Sequence, residues 1–108
     1  MNQNSSHSGR SGPIEVATIL RKAGYETLRT IGSNLFDLVA GKDGRVFFLV
    51  VRRSRKAGIT RWAKEVFRLV DLVRAGTIPG DIHFWVCRSG VWSRYQIMPG
   101  GSVPVELE

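Results

Sequence analysis

The sequence predicts an α/β domain in which helices flank a central mixed β-sheet, with the element order α-β-β-β-α-β-β. Apolar residues recur at helical spacing in two segments, Pro13–Ala23 and a stretch that begins near Thr60. Short β-forming segments with turn residues between them fill most of the remaining chain. Val46–Val51 is apolar on both faces, which is typical of a strand buried in the middle of a sheet.

The first half of the chain predicts one helix and three strands. The helix covers Pro13–Ala23, because proline suits a first helical turn and Gly24 suits a C-terminal cap. Gly41–Gly44 is predicted as a hairpin turn between the second and third strands. The predicted strands are Glu26–Ile31, Leu35–Ala40 and Arg45–Arg53.

The second half predicts one helix and two further strands. Thr60 is a suitable N-cap, and the helix ends before Gly76. Ser89 and Gly90 form the turn between two strands, Ile82–Cys87 and Val91–Ile97.

The composition indicates the class of partner. The formal net charge of +7 and the sequence pI of about 10.5 favour a polyanion, nucleic acid before membrane because no basic amphipathic helix is evident. No apolar run is long enough to cross a bilayer, and the lone Cys87 excludes an internal disulfide and suits a reducing compartment. We therefore expect a soluble, cytoplasmic protein, associated with the nucleoid if it binds DNA. A basic protein without a polyanionic partner is the alternative.

Two segments carry a resemblance to a known family. Residues 29–41, RTIGSNLFDLVAG, and residues 47–55, FFLVVRRSR, resemble the core of archaeal Holliday junction resolvases in the PD-(D/E)XK nuclease superfamily. The similarity extends over roughly residues 9–98. It implies a restriction endonuclease-like fold, binding to branched or duplex DNA, and a homodimer. The expected division is a flexible N-terminal arm at 1–12, the nuclease-like domain at 13–98 and a C-terminal tail at 99–108.

The family's catalytic residues are mostly replaced. The resemblance places its Asp at Asp37, its Glu-x-Lys pair at Val50 and Arg52, and its helix Glu at Pro13. A valine cannot bind a cation, and an arginine stays protonated and cannot serve in proton chemistry. We therefore expect no cofactor. Mg²⁺ or Mn²⁺ is expected only if nuclease activity remains, with Asp37 as the single candidate ligand.

Two interpretations of Asp37 follow. In the first, it pairs with Arg52 across adjacent strands, so that its loss destabilises the fold. In the second, it is a weak relic of metal coordination. Glu15, Glu26 and Glu65 do not have the positions along helix or strand that would let them replace the missing ligands.

Basic residues are the stronger functional feature. They run from the end of a strand through a loop into a helix start, where side chains and helix N–H groups can bind phosphates. The run has almost no acidic residues within it, although a solvated charged loop is the alternative. The predicted DNA-binding residues are Arg10, Lys42, Arg45, Arg52, Arg53, Arg55, Lys56, Arg61 and Lys64.

The second helix has more apolar residues than one core-facing stripe requires. The excess predicts a twofold dimer interface, and an enlarged core contact is the alternative. The predicted interface residues are Trp62, Val66, Phe67, Val70 and Val73.

Three functions therefore remain open. The first is a non-catalytic or catalytically impaired resolvase-like protein that binds DNA by backbone and shape. The second is an active, metal-dependent, structure-selective endonuclease with a rearranged site. The third is a protein-interaction module or partner subunit.

Overall fold

The computed structural model describes residues 3–32, 35–55 and 58–106, and of residues 3–11 only the backbone. The predicted order of helices and strands is confirmed, with one further strand at its end. In chain order the elements are α1 (Gln3–Lys22), β1 (Glu26–Arg29), β2 (Leu38–Lys42), β3 (Arg45–Ser54), a 3₁₀ turn (Ile59–Trp62), α2 (Ala63–Ala75), β4 (Asp81–Arg88), β5 (Val91–Met98) and β6 (Gly101–Pro104).

The strands form one mixed sheet in the order β1-β2-β3-β4-β5-β6. Among the described strands, β3 and β4 form the one parallel pair, and the other neighbours are antiparallel. Parallel neighbours require a crossover connection, which α2 supplies. Neither described helix combines the length and apolar character that a membrane span requires.

One helix packs on each face of the sheet. On the first face, Val16 and Leu20 of α1 pack against a cluster that includes Leu49. On the second face, Leu69 of α2 packs against a cluster that includes Val50. Leu49 and Val50 are each 1% exposed, because successive strand residues point to opposite faces and both faces are covered. The predicted burial of β3 on both faces is confirmed.

Two local features confirm predicted chain reversals. Asp43 and Gly44 have positive φ angles of 53° and 79°, as a two-residue hairpin turn between β2 and β3 requires. Gly24 has φ of 96°, and the Tyr25 N–H donates to the Leu20 carbonyl at 2.9 Å, which ends α1 as expected of a glycine C-terminal cap.

Two predicted helix starts were wrong. The backbone of α1 is already helical at Gln3, so Pro13 lies inside the helix rather than in its first turn. Thr60 lies within the 3₁₀ turn, and α2 begins after Trp62, which makes no side-chain capping hydrogen bond. The tighter turn brings the chain from β3 onto the second face of the sheet before the α-helix starts.

Several predicted strand limits also differ from the structure: the first strand ends at Arg29 rather than Ile31, and the second ends at Lys42 rather than Ala40. The second strand begins at Leu38 rather than Leu35, so Asp37 precedes the strand. β6 pairs with β5 inside the segment predicted as a tail, because Pro99 and Gly100 form a short connection between them. The division into arm, domain and tail stays a prediction.

Candidate functional site

Asp37 is held against the backbone of β3. Leu38 pairs with Leu49 in the antiparallel register, which sets Asp37 opposite Val50. The Asp37 N–H donates to the Leu49 carbonyl at 2.8 Å, and Asp37 Oδ2 accepts the Val51 N–H at 2.8 Å. The carboxylate is therefore fixed by main-chain contacts beside the carboxyl half of β3.

Arg52 lies between two carboxylates. Its Nη1 is 3.2 Å from Asp37 Oδ2, and its Nε and Nη2 are 3.0 and 2.6 Å from Glu65 Oε1. The Arg52, Asp37 and Glu65 side chains are 29%, 33% and 38% exposed, so water reaches this site only partly. The predicted ion pair between Asp37 and Arg52 is confirmed. We call these three residues the Arg52 centre.

The sequence did not predict that Glu65 contacts Arg52, because Glu65 lies on a helix far along the chain from Asp37. The topology contains a signal that would have identified it. In a strand-helix-strand unit, the helix starts near the carboxyl end of the strand before it. A carboxylate in the first turn of α2 is therefore close to the last residues of β3, where Arg52 lies.

Val50 belongs to the core rather than to an open site. It is 1% exposed, and it is part of the cluster on the second face with Val66 and Leu69. Val50 has the same orientation on β3 as Arg52, two residues further on. Position 50, where the sequence resemblance places a glutamate, is therefore an apolar packing contact next to the Arg52 centre.

The residues of the Arg52 centre do not fit a magnesium ion. Both carboxylates bind a guanidinium that stays protonated, and Val50 supplies no oxygen. Within residues 3–32, 35–55 and 58–106, no group of three or more His, Cys, Asp or Glu residues is arranged to hold a metal ion. A divalent cation at this point would meet the positive charge of Arg52.

Several predicted DNA-binding residues are engaged by other groups. Arg53 pairs with Glu15 and lies over the Trp92 ring, and Arg45 pairs with Asp81 at 2.9 Å. The interpretation of the basic run as unopposed by acids was therefore wrong for Arg52 and Arg53. The partners that the sequence did not predict come from helices: Glu15 of α1 pairs with Arg53, and Glu65 of α2 pairs with Arg52.

The structure does not bring Lys42 and Arg45 to the end of β3 that carries Arg55. Lys42 Nζ donates to the Ala23 carbonyl at 2.9 Å, at the carboxyl end of α1. Arg45 begins β3 and Ser54 ends it, a separation of about 30 Å at the usual rise per strand residue. Lys56 and the side chain of Arg10 lie outside the described residues.

Four exposed cations lie at the carboxyl ends of β3 and β4 and at the start of α2. Arg55, Arg61 and Lys64 were predicted, and none of them forms an ion pair within the described part of the chain. Arg88 joins them, since it pairs in register with Ser54, and it too is exposed. We call these four residues the basic end. Sequence reasoning missed Arg88 because only the parallel pairing of β3 and β4 brings it close.

The loops that carry part of the basic end are tied together. Ser89 Oγ donates to the Arg55 carbonyl at 2.7 Å, and the Ser89 N–H donates to the Ser54 carbonyl at 3.3 Å. The backbone positions of Arg55 and Arg88 are therefore fixed relative to each other.

The predicted dimer residues do not share one environment. Val66 and Val70 are 7% and 6% exposed and belong to the core, whereas Phe67 is 68% exposed. Trp62 and Val73 are half-buried against the same core. The enlarged core contact therefore explains Val66 and Val70, and the interface stays a prediction that rests mainly on Phe67.

Comparison with known proteins supports the fold alone. No family model matches the chain, and no curated protein sequence matches it. Among solved structures it is similar to Hjc, a Holliday junction resolvase from the archaeal hyperthermophile Archaeoglobus fulgidus, with a TM-score of 0.64 and 20% sequence identity. The match covers 83% of this chain and 73% of that chain. The predicted nuclease-like α/β fold is confirmed.

Proposed function

We propose that this chain is a nuclease-fold protein that binds duplex or branched DNA through its phosphate backbone and does not cleave it. The Arg52 centre carries the proposal. A guanidinium bound by Asp37 and Glu65 takes the place that cations and a lysine have in the nucleases that the sequence resembles. The centre is then a structural ion-pair network, and it supplies neither a metal nor a proton acceptor.

The basic end supports the DNA-binding part of the proposal. Its four side chains are exposed, and the chain as a whole has a net charge of +7. Phosphate contacts of this kind position a protein on a duplex without reading its sequence. The structural likeness to a protein named as a Holliday junction resolvase favours a four-way junction among the possible DNA forms.

The proposal includes a homodimer with Phe67 at its interface. Phe67 is a large apolar side chain on α2, and it is 68% exposed. The core of one chain therefore does not cover it. Two copies would present two basic ends, which suits a junction with several duplex arms.

Binding and cleavage are tested in one experiment with a labelled four-way junction and a duplex of the same arm sequence. We expect a mobility shift with both, tighter for the junction, and no cleavage in Mg²⁺, Mn²⁺ or chelator. Four phosphate contacts per protomer predict a log–log salt slope of about −3.6 for each bound protomer. A slope near zero would contradict phosphate binding, and metal-dependent product would contradict the loss of catalysis.

Matched variants locate the surface. Arg55→Gln, Arg61→Gln and Lys64→Gln together should reduce the magnitude of the slope by about 2.7 per protomer, because three contacts are removed. Arg21→Gln, Lys22→Gln and Arg45→Gln together remove the same charge at the opposite end of the sheet and should leave most of the affinity intact. An equal loss in both triple variants would show that only net charge matters.

An active endonuclease is the second candidate, and one observation favours it. Glu65 brings a second carboxylate to Arg52, beside Asp37, so that displacement of Arg52 would leave two acids close together. The cleavage arm of the same experiment decides between the candidates. If metal-dependent cleavage occurs and Glu65→Gln abolishes it, the rearranged site is correct.

A further inference from the structure

A pocket of about 390 Å³ lies on the first face of the sheet, on the side opposite the Arg52 centre. It lies between the carboxyl end of α1 and the residues of β4 and β5 that face the same side of the sheet. The chain after β6 borders it, since the Val105 N–H donates to the Arg94 carbonyl at 3.0 Å. This volume is in the usual range for a small-molecule site. The residues that matter here are Tyr25, Phe47, Leu49, His83, Trp85 and Arg94.

Flat side chains form part of the pocket wall. The ring centroids of Tyr25 and Phe47 are 5.6 Å apart, and those of Phe47 and His83 are 4.8 Å apart. Leu49 and Trp85 are each 1% exposed and line the pocket beside them. A wall of edge-packed and tilted rings favours a planar apolar group, which can stack on it or meet it edge to face.

The polar groups of the pocket include two donors without acceptors. Trp85 Nε1 and Arg94 Nε are buried, and neither has a hydrogen-bond partner within the described residues. Trp85 and Arg94 are cross-strand neighbours, with the Arg94 guanidinium carbon 4.9 Å from the Trp85 ring centroid. Indole and guanidinium groups donate and never accept. A polar ligand group that lies next to the Arg94 guanidinium must therefore be an acceptor.

The charges around the pocket favour an anion. Arg94 forms no ion pair within the described part of the chain, whereas Arg45 is balanced by Asp81. Burial lowers the pKa of His83, so that its imidazole is neutral at neutral pH. Glu106 borders the pocket without pairing with Arg94, and its charge weakens the attraction.

We propose that this pocket binds a small aromatic acid, a planar ring that carries a carboxylate or phosphate group. The ring packs among Tyr25, Phe47 and Leu49. The anionic group accepts hydrogen bonds from the terminal guanidinium nitrogens of Arg94, next to the Trp85 ring. The inference does not depend on the proposed DNA binding, because the pocket and the Arg52 centre lie on opposite faces of the sheet.

Nuclear magnetic resonance of the tryptophan indoles tests it. The chain has three tryptophans, and Trp62→Phe and Trp92→Phe identify the Trp85 Nε1–H signal by elimination. Indole-3-acetate should move that signal saturably, while indole and acetate alone should bind at least about tenfold more weakly, since each lacks one half of the ligand. Adenosine 5′-monophosphate, measured in parallel, distinguishes a nucleotide from a carboxylic acid. If neither aromatic acid produces a saturable shift, the proposal is wrong.

Charge variants provide a second test. Arg94→Gln should weaken indole-3-acetate binding by about tenfold or more, because a hydrogen bond to a charged group is lost. Glu106→Gln should tighten binding. Arg68→Gln, on α2 at the opposite face, is the matched control and should leave binding unchanged. If Arg94→Gln does not fold, the Glu106 variant decides, and weaker or unchanged binding in it would contradict the charge argument.

Discussion

Arg52 holds Glu65 with three hydrogen bonds: Nε and Nη2 donate to Oε1 at 3.0 and 2.6 Å, and Nε also donates to Oε2 at 3.4 Å. This pair joins the last residues of β3 to the first turn of α2. Charge-assisted contacts from a planar guanidinium fix orientation as well as distance. The contact therefore ties the start of α2 to the carboxyl end of β3.

Loss of Asp37 should destabilise the fold. Asp37→Ala removes an acceptor for the Val51 N–H and one of the two carboxylates at Arg52. We expect the free energy of unfolding to fall by about 1–2 kcal/mol, since the site is partly exposed. Urea denaturation measures it, with Asp71→Ala, an exposed acid on α2, as the control. Equal stability of the two variants would favour the metal-relic interpretation of Asp37.

A carboxylate at position 50 should not restore a metal site. Val50→Glu places an acid in the core at a residue that is 1% exposed. We expect the free energy of unfolding to fall by about 3 kcal/mol or more, and the double variant with Arg52→Lys to gain no cleavage. Val46→Glu is the control, because Val46 is 39% exposed on the same strand. Metal-dependent cleavage by the double variant would show that the rest of a nuclease site is intact.

Gly80 is required by a close approach of two backbones. A Cβ at this position would lie against the Val46 carbonyl, 3.1 Å from its carbon and closer still to its oxygen. Gly80→Ala should therefore lower the free energy of unfolding by about 1–3 kcal/mol. Gly100→Ala is the matched control, since nothing lies within 4 Å of a Cβ there. The explanation fails if thermal unfolding gives the same midpoint for both variants.

Stability should depend on the protonation of His83. Desolvation by burial lowers its pKa, Asp81 opposes that shift and Arg45 adds to it. The unfolded chain therefore binds the proton more readily than the folded chain. The stability that neutral His83 contributes is fully present above about pH 6.5, and it is lost as the pH falls through the pKa of His83 in the folded chain. The slope from one such group is at most about 1.4 kcal/mol per pH unit.

A comparison of histidine variants separates the contribution of His83 from the pH dependence that the carboxylates cause. His83→Gln should flatten the loss of stability between pH 7.5 and the acid range, as measured by urea denaturation at each pH. His7→Gln removes the other histidine of the chain and serves as the control. If both variants follow the parent profile, His83 does not contribute.

Phe67 provides the test of the proposed dimer. Phe67→Ser should convert a dimer to a monomer in light scattering, because it removes the most exposed apolar side chain of α2. Leu28→Ser is the control, since Leu28 is 70% exposed on β1 and is not a predicted interface residue. A dimer that persists in the Phe67 variant would place the interface elsewhere.

The elements that the sequence predicted best are those whose patterns are local. The prediction Arg45–Arg53 matches β3 to within one residue, because the middle of a strand covered on both faces is a continuous apolar run, here Val46–Val51. The turn at Asp43 and Gly44 depends on two adjacent residues. β6 was missed because Pro99 and Gly100 suggested the end of the domain rather than a reversal within the sheet.

The candidate site was predictable only in part, because its contacts are not local. The pairing of Asp37 with Arg52 follows from neighbouring strands. Glu65 reaches Arg52 through the crossover helix, and Arg88 reaches the basic end through a parallel pairing. Neither relationship leaves a spacing pattern in the chain, so both require knowledge of which strands are neighbours.

The parallel pairing of β3 with β4 also affects the order of folding. The β2–β3 and β4–β5 hairpins can form from adjacent residues, whereas β3 can meet β4 only after the whole of α2 has been brought back across the sheet. We therefore expect this pairing to form late. Arg55 and Arg88 come together only at that step, so a partly folded chain would not yet present a complete surface to a polyanion.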